Sequence, residues 1–111
     1  MSEERFAKTP EPPYYAVIFT FQRNECEAGF AEKVELMTRL AKEQPGYIGT
    51  ESAGDASGFG ILVSYWTDLA SIAKWRTETS HAQAQTEGKS NWFEGLELRI
   101  SKVERAYNFR K

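Results

Sequence analysis

One cysteine, Cys26, stands among 111 residues. Its solitude excludes an intrachain disulfide, leaves no cysteine pair for zinc, and suits a reducing cytoplasm. No apolar run approaches the roughly 20 residues that a membrane-spanning helix needs. The stretch 1–13 is polar and proline-containing, without the apolar segment of a signal peptide, and reads as a flexible N-terminal arm before one domain over 14–111. An excess of positive charge is missing too: the formal charge is −2, and the densest basic stretch, Lys102, Arg105, Arg110 and Lys111, is interleaved with Glu104. Nucleic acid and anionic membranes are therefore not expected partners. A glycine-rich phosphate loop is also lacking, because the glycines between 54 and 60 lie in a hairpin and precede no helix.

What the chain has in abundance is flat side chains: three Trp, five Tyr and seven Phe make up 14% of it. Disordered segments are poor in aromatics, so the bulk of the sequence is folded. In Tyr14–Arg23, Tyr15, Val17, Phe19 and Phe21 point one way, and Tyr14, Ala16 and Ile18 the other. Side chains alternate across a strand, so two apolar sets predict two buried faces. Helices of so small a domain cover only one face of a sheet. A second copy of the chain is the expected cover for the other.

Phe30, Val34, Met37, Leu40 and Ala41 recur at helical spacing, and Gln44-Pro45-Gly46 ends that helix. Residues 47–53 read as an edge strand, and 54–58 as a hairpin turn. The next strand carries Phe59, Ile61, Val63 and Tyr65 on one face and Leu62 and Trp66 on the other. Thr67 or Asp68 caps a second helix with Leu69, Ile72, Ala73 and Arg76 inward and Trp75 at the margin; a break at 77–80 precedes a polar helical stretch from His81 to about Lys89. The last strand, over 96–109, alternates Leu96, Leu98, Ile100 and then changes phase to Val103, Tyr107 and Phe109, which predicts a bulge or bend and an outer half that leaves the sheet to pair with a partner. The order is a ferredoxin-like βαββαβ fold of the α+β class with an antiparallel sheet.

In that order, the run Gln44-Pro45-Gly46-Tyr47-Ile48-Gly49-Thr50-Glu51, the strand end Tyr65-Trp66, the stretch from Leu69 to Trp75 leading into Arg76 and His81, and the closing strand from Arg99 to Tyr107 resemble the antibiotic biosynthesis monooxygenase family. The resemblance implies a dimeric α+β barrel. It also implies insertion of O₂ into a small aromatic hydroxy compound (a phenol, anthrone or quinol) with no metal, flavin or other cofactor. Such chemistry needs a dry aromatic-lined cavity in a homodimer, hydrogen-bond donors for an oxyanion and a proton acceptor. The fold also hosts non-catalytic small-ligand binders and other reactions such as isomerisation or dehalogenation. A haem-degrading branch shares Trp75, but the position of its iron-ligating histidine holds Gln85 here, its first-strand asparagine falls near Thr20, and His81 comes too early.

His81, the only histidine, is the candidate base, with Ser80 as a helix cap to aim it, and Trp75 and Trp66 complete the candidate catalytic group. Tyr15, Tyr65 and Arg76 are candidate ligands of an anionic substrate, and Trp92 and Phe93 a candidate gate. Each also has a plain reading: tryptophans as core, Arg76 paired with a carboxylate, His81 partly exposed and idle, Glu51 and Arg99 as a cross-sheet ion pair.

Overall fold

The computed structural model describes residues 5–111, except for the side chains of residues 79 and 80. Four strands, β1 (Tyr14–Arg23), β2 (Tyr47–Gly54), β3 (Phe59–Trp66) and β4 (Phe93–Val103), form one antiparallel sheet in the order β2-β3-β1-β4. Helix α1 (Phe30–Lys42) joins β1 to β2. Helices α2 (Leu69–Thr77) and α3 (Thr79–Glu87), with a π-helical turn at Gly88–Trp92, join β3 to β4. This is the expected ferredoxin-like βαββαβ arrangement, with the longest strand, β4, at one edge and the glycine-containing β2 at the other.

Register assigns the two faces. Tyr15 lies opposite Trp66 and Phe19 opposite Leu62, so Tyr15, Val17, Phe19 and Phe21 face the helices as the alternation requires. There the core forms around Trp66, Ile72 and Trp75, with Tyr15, Val17, Met37, Leu40, Ala41 and Tyr47 packed on it. Trp66 has no exposed surface, and truncating so large a buried side chain costs about 3–5 kcal/mol.

The opposite face is apolar but largely uncovered: Phe59 and Ile61 are 45% and 40% exposed. At one end the N-terminal arm crosses it. Ala7 N–H donates to Glu51 Oε2 at 2.9 Å, and the Ala7 methyl lies 3.0 Å from where a Cβ on Gly49 would stand. A side chain at position 49 would push the arm back by a few tenths of an ångström, and at this end Tyr14 and Ala16 are buried.

Several local expectations change. In α1, Val34 is 42% exposed, whereas Leu36 is half-covered and Met37, Leu40 and Ala41 pack on the core. In α2, Ile72 and Trp75 are the buried pair, whereas Leu69, Ala73 and Arg76 are exposed, so Trp75 is not marginal. A period-3.6 stripe has two readings one residue apart, and the larger indole takes the core because it removes more apolar surface from water. The break before α3 shrinks to Glu78, whose extended backbone ends α2. Strand β4 starts at Phe93, and its register shift sits at Gln22/Arg23 opposite Gly95 and Phe93. Val103 pairs with Tyr14 in unbroken register, so its change of phase is a change of face and not a bulge. Beyond Val103 the chain leaves the sheet, with Tyr107 and Phe109 87% and 80% exposed.

The turn between α1 and β2 fixes where α2 begins. Gly46 has φ +85°, and a Cβ there would collide with the Ser71 side chain. Its carbonyl accepts from Thr67 N–H at 2.8 Å, and the Asp68 carboxylate, not the Thr67 hydroxyl, caps α2 by accepting from Ser71 N–H at 2.7 Å.

Candidate functional site

Trp66 ends β3 and Trp75 lies on the inner side of α2. Their rings stack with centroids 6.2 Å apart, and Tyr47 meets Trp66 edge-on at 5.5 Å. His81, two residues into α3 from its start, lays its imidazole on the other indole at 4.2 Å and 11° from parallel. A column of Tyr47, Trp66, Trp75 and His81 thus runs from β2 to α3. Trp66 Nε1–H donates to Ser64 Oγ at 2.9 Å, which satisfies the polar tip of the buried indole.

The imidazole is oriented by its neighbours. Nδ1 lies 2.9 Å from the Trp75 carbonyl oxygen. A carbonyl only accepts, so Nδ1 carries the proton and donates, and neutral His81 holds its lone pair on Nε2. Burial pushes the His81 pKa below its ordinary 6.5, against the raising effects of the Trp75 carbonyl and the Glu78 carboxylate, and the Arg76 charge pushes it down as well. Glu78 also accepts from the His81 backbone N–H at 3.2 Å. The result is a neutral imidazole with a fixed tautomer, which is what a general base needs at neutral pH. The expected Ser80 cap falls outside the described side chains.

The remaining candidates divide among four places. Tyr15 packs on the Trp66 cluster. Trp92 and Phe93 lie near the far end of the sheet: Trp92 is buried, donates from Nε1 to the Ala28 carbonyl at 3.0 Å and meets Phe30 edge-on, while Phe93 packs with Phe19, Phe21 and Phe30. Tyr65 faces the uncovered side of the sheet. Its hydroxyl donates to Glu51 Oε1 at 2.6 Å, and burial followed by that carboxylate pushes its pKa far up. Glu51 therefore holds Tyr65 and the arm. It does not pair with Arg99, which bridges Glu97 on its own strand at 2.9 Å. Arg76 is exposed on α2.

Two clefts of about 380 and 600 Å³ flank α3. The first is lined by Ala28, Lys33, Glu87, Asn91 and Trp92 among others, the second by Thr77, Ala82, Gln83, Thr86 and Glu87. Both open to solvent, and neither is lined by Trp66, Trp75 or His81. Sequence reasoning missed Tyr47 and Glu78, although Tyr47 lies in the quoted Pro-Gly-Tyr turn. Nothing local in the sequence marks Glu78.

Residues 13–87 match the pattern of the antibiotic biosynthesis monooxygenase family. The chain belongs to that family. It is 46% identical to the uncharacterized protein YqjZ of Bacillus subtilis over 105 residues, 95% of this chain and 92% of that one. Over 46 residues, 41% of this chain and 21% of the relative, it is 35% identical to the jasmonate monooxygenase ABM of Pyricularia oryzae. Its fold is similar to that of a variant of SnoaB, a cofactor-independent oxygenase from Streptomyces nogalater, with a TM-score of 0.72 and 12% identity over 84% of this chain and 95% of that one. Among the described residues no helix is long and apolar enough to cross a membrane.

Proposed function

We propose that this family member is a cofactor-independent monooxygenase of a small aromatic hydroxy compound, working as a homodimer in the cytoplasm. The observation that carries the reading is the His81 imidazole stacked on Trp75, with its Nδ1 proton held by the Trp75 carbonyl. Nε2 then takes the phenolic proton of the substrate, and the anion it leaves gives electrons to O₂. In an anthrone, one oxygen atom replaces two hydrogens at the methylene carbon as a ketone, and the other leaves as water with those hydrogens. The substrate is its own reductant. Trp75 provides the flat, low-dielectric wall against which such an anion reacts, Trp66 stacks behind it as support, and Tyr15 belongs to the same packed group.

A second reading, a small-ligand-binding dimer without catalysis, draws on a specific observation: Trp66 and Trp75 are buried and line neither open cleft. O₂ uptake by the metal-stripped protein against hydroquinones, anthrones and catechols separates the two. Uptake lost in Trp75→Phe with His81→Ala, with the fold intact by circular dichroism, supports oxygenation at this site. Uptake that survives in that variant removes these residues from the mechanism. Binding of panel compounds with no uptake favours the second reading.

A further inference from the structure

We propose that α3 is a lid, hinged at Glu78 and at the π-helical turn and clasped by His81 at one end and Glu87 at the other. This rests on the reading of Trp75 and His81 as the place where the substrate reacts. Helix α2 buries Ile72 and Trp75, but none of the described side chains of α3 is buried. Among the described side chains only His81, Ala84 and Glu87 are even half-covered, a single stripe at steps of three, while Ala82, Gln83, Gln85 and Thr86 are exposed. A helix so polar has little hydrophobic area holding it down, which is the property of segments that open locally.

Polar and ring contacts do the holding instead. At its start, His81 stacks on Trp75 and donates to the Trp75 carbonyl. At its end, Glu87 Oε1 meets Lys33 Nζ of α1 at 3.0 Å, with the two side chains 43% and 24% exposed. Exposed ion pairs are weak. Helical pairing is interrupted on either side of α3: Glu78 has extended backbone at ψ 132°, and Gly88–Trp92 is a π-helical turn, anchored by buried Trp92, of a kind that recurs at functional sites. The cleft of about 600 Å³ lies along α3, lined by Ala82, Gln83, Thr86 and Glu87, and the one of about 380 Å³ meets its end at Glu87.

What an aromatic substrate would occupy is also present. On the helix side of β4, Leu98 and Ile100 are 40% and 42% exposed, and Ile100 lies directly opposite Val17, which packs on the Trp66, Ile72 and Trp75 cluster. An apolar strip thus continues from the cluster to the sheet edge. A planar hydroxylated substrate takes that strip while α3 is open, and closure brings His81 Nε2 to its hydroxyl and excludes water.

Hydrogen exchange of the full chain, read by mass spectrometry without substrate, tests the lid. The backbone amides of residues 82–87 are expected to exchange about ten-fold or more faster than those of α2 and β1. Glu87→Gln is expected to speed α3 several-fold further and leave α2 and the strands unchanged. Protection of α3 equal to that of α2, or no acceleration by Glu87→Gln, or acceleration of every element alike, overturns the proposal. Because no substrate is present, absence of O₂ uptake would remove the proposed activity and leave the lid standing, whereas an active enzyme with a protected α3 would remove the lid alone.

Discussion

At the scale of single residues, His81 shows how one backbone carbonyl decides chemistry. The Trp75 carbonyl can only accept, so the tautomer follows, and burial keeps the ring neutral. A consequence for stability has a definite sign. Because the folded pKa is depressed, the folded and unfolded chains are both neutral at this residue above about pH 6.5. Below that value the unfolded chain takes up a proton that the folded chain resists, so stability falls with pH until the folded imidazole is protonated too. The wild type should therefore lose more stability between pH 7.5 and 5 than His81→Phe, which keeps a ring on Trp75 but does not titrate. Urea midpoints at the two pH values measure this, and equal losses would show that His81 is not held neutral by the fold. The carboxylates of Asp55 and Asp68, both lowered by hydrogen bonds, stay ionised over that range and do not confuse the comparison. The sequence marked His81 because it is the only histidine. It was silent about the carbonyl, since a backbone atom has no residue type to read.

At the scale of elements, boundaries that rest on side-chain chemistry were legible, and faces that rest on packing were less so. Asp68 caps α2 with a hydrogen bond to Ser71 N–H, so Asp68→Ala should cost about 1 kcal/mol of stability. Denaturant unfolding checks this, with Asp68→Asn as the variant expected to retain most of it; an unchanged midpoint in the alanine variant would mean that solvent caps the helix equally well. The helical stripe alone places the inner face of α2 one position away from Trp75, because Arg76 and Trp75 both fit its margin. Only the neighbouring Trp66 ring distinguishes them, and it comes from another element. Strand β4 had the same ambiguity: Val103 breaks the period-2 pattern in sequence, yet its pairing with Tyr14 is regular. An apolar residue on the uncovered face looks like a bulge when one face alone is assumed to be apolar.

At the scale of the whole molecule, the uncovered sheet face is the largest feature the single chain leaves unexplained. Phe59 and Ile61 are exposed there, while the arm covers only the end near Gly49 and Glu51. Pairing of two such faces removes this surface from water and accounts for a strand that is apolar on both sides. Light scattering at micromolar concentration should accordingly give a dimer, and Ile61→Lys should give a monomer of unchanged far-ultraviolet circular dichroism; a monomeric wild type would contradict the apolar reading of β1 and β3. The sequence by itself determined the order of strands and helices, the two apolar faces of β1 and the resemblance to the family, because alternation, helical period, caps and glycine-proline turns are local signals. Only the tertiary structure decided that Trp66, Trp75 and His81 form one stack, that Trp92 and Phe93 stand apart from it, that Tyr65 answers Glu51 on the other face, and which nitrogen of His81 is basic. Those facts depend on distances between residues far apart in the chain and on backbone atoms that every residue shares.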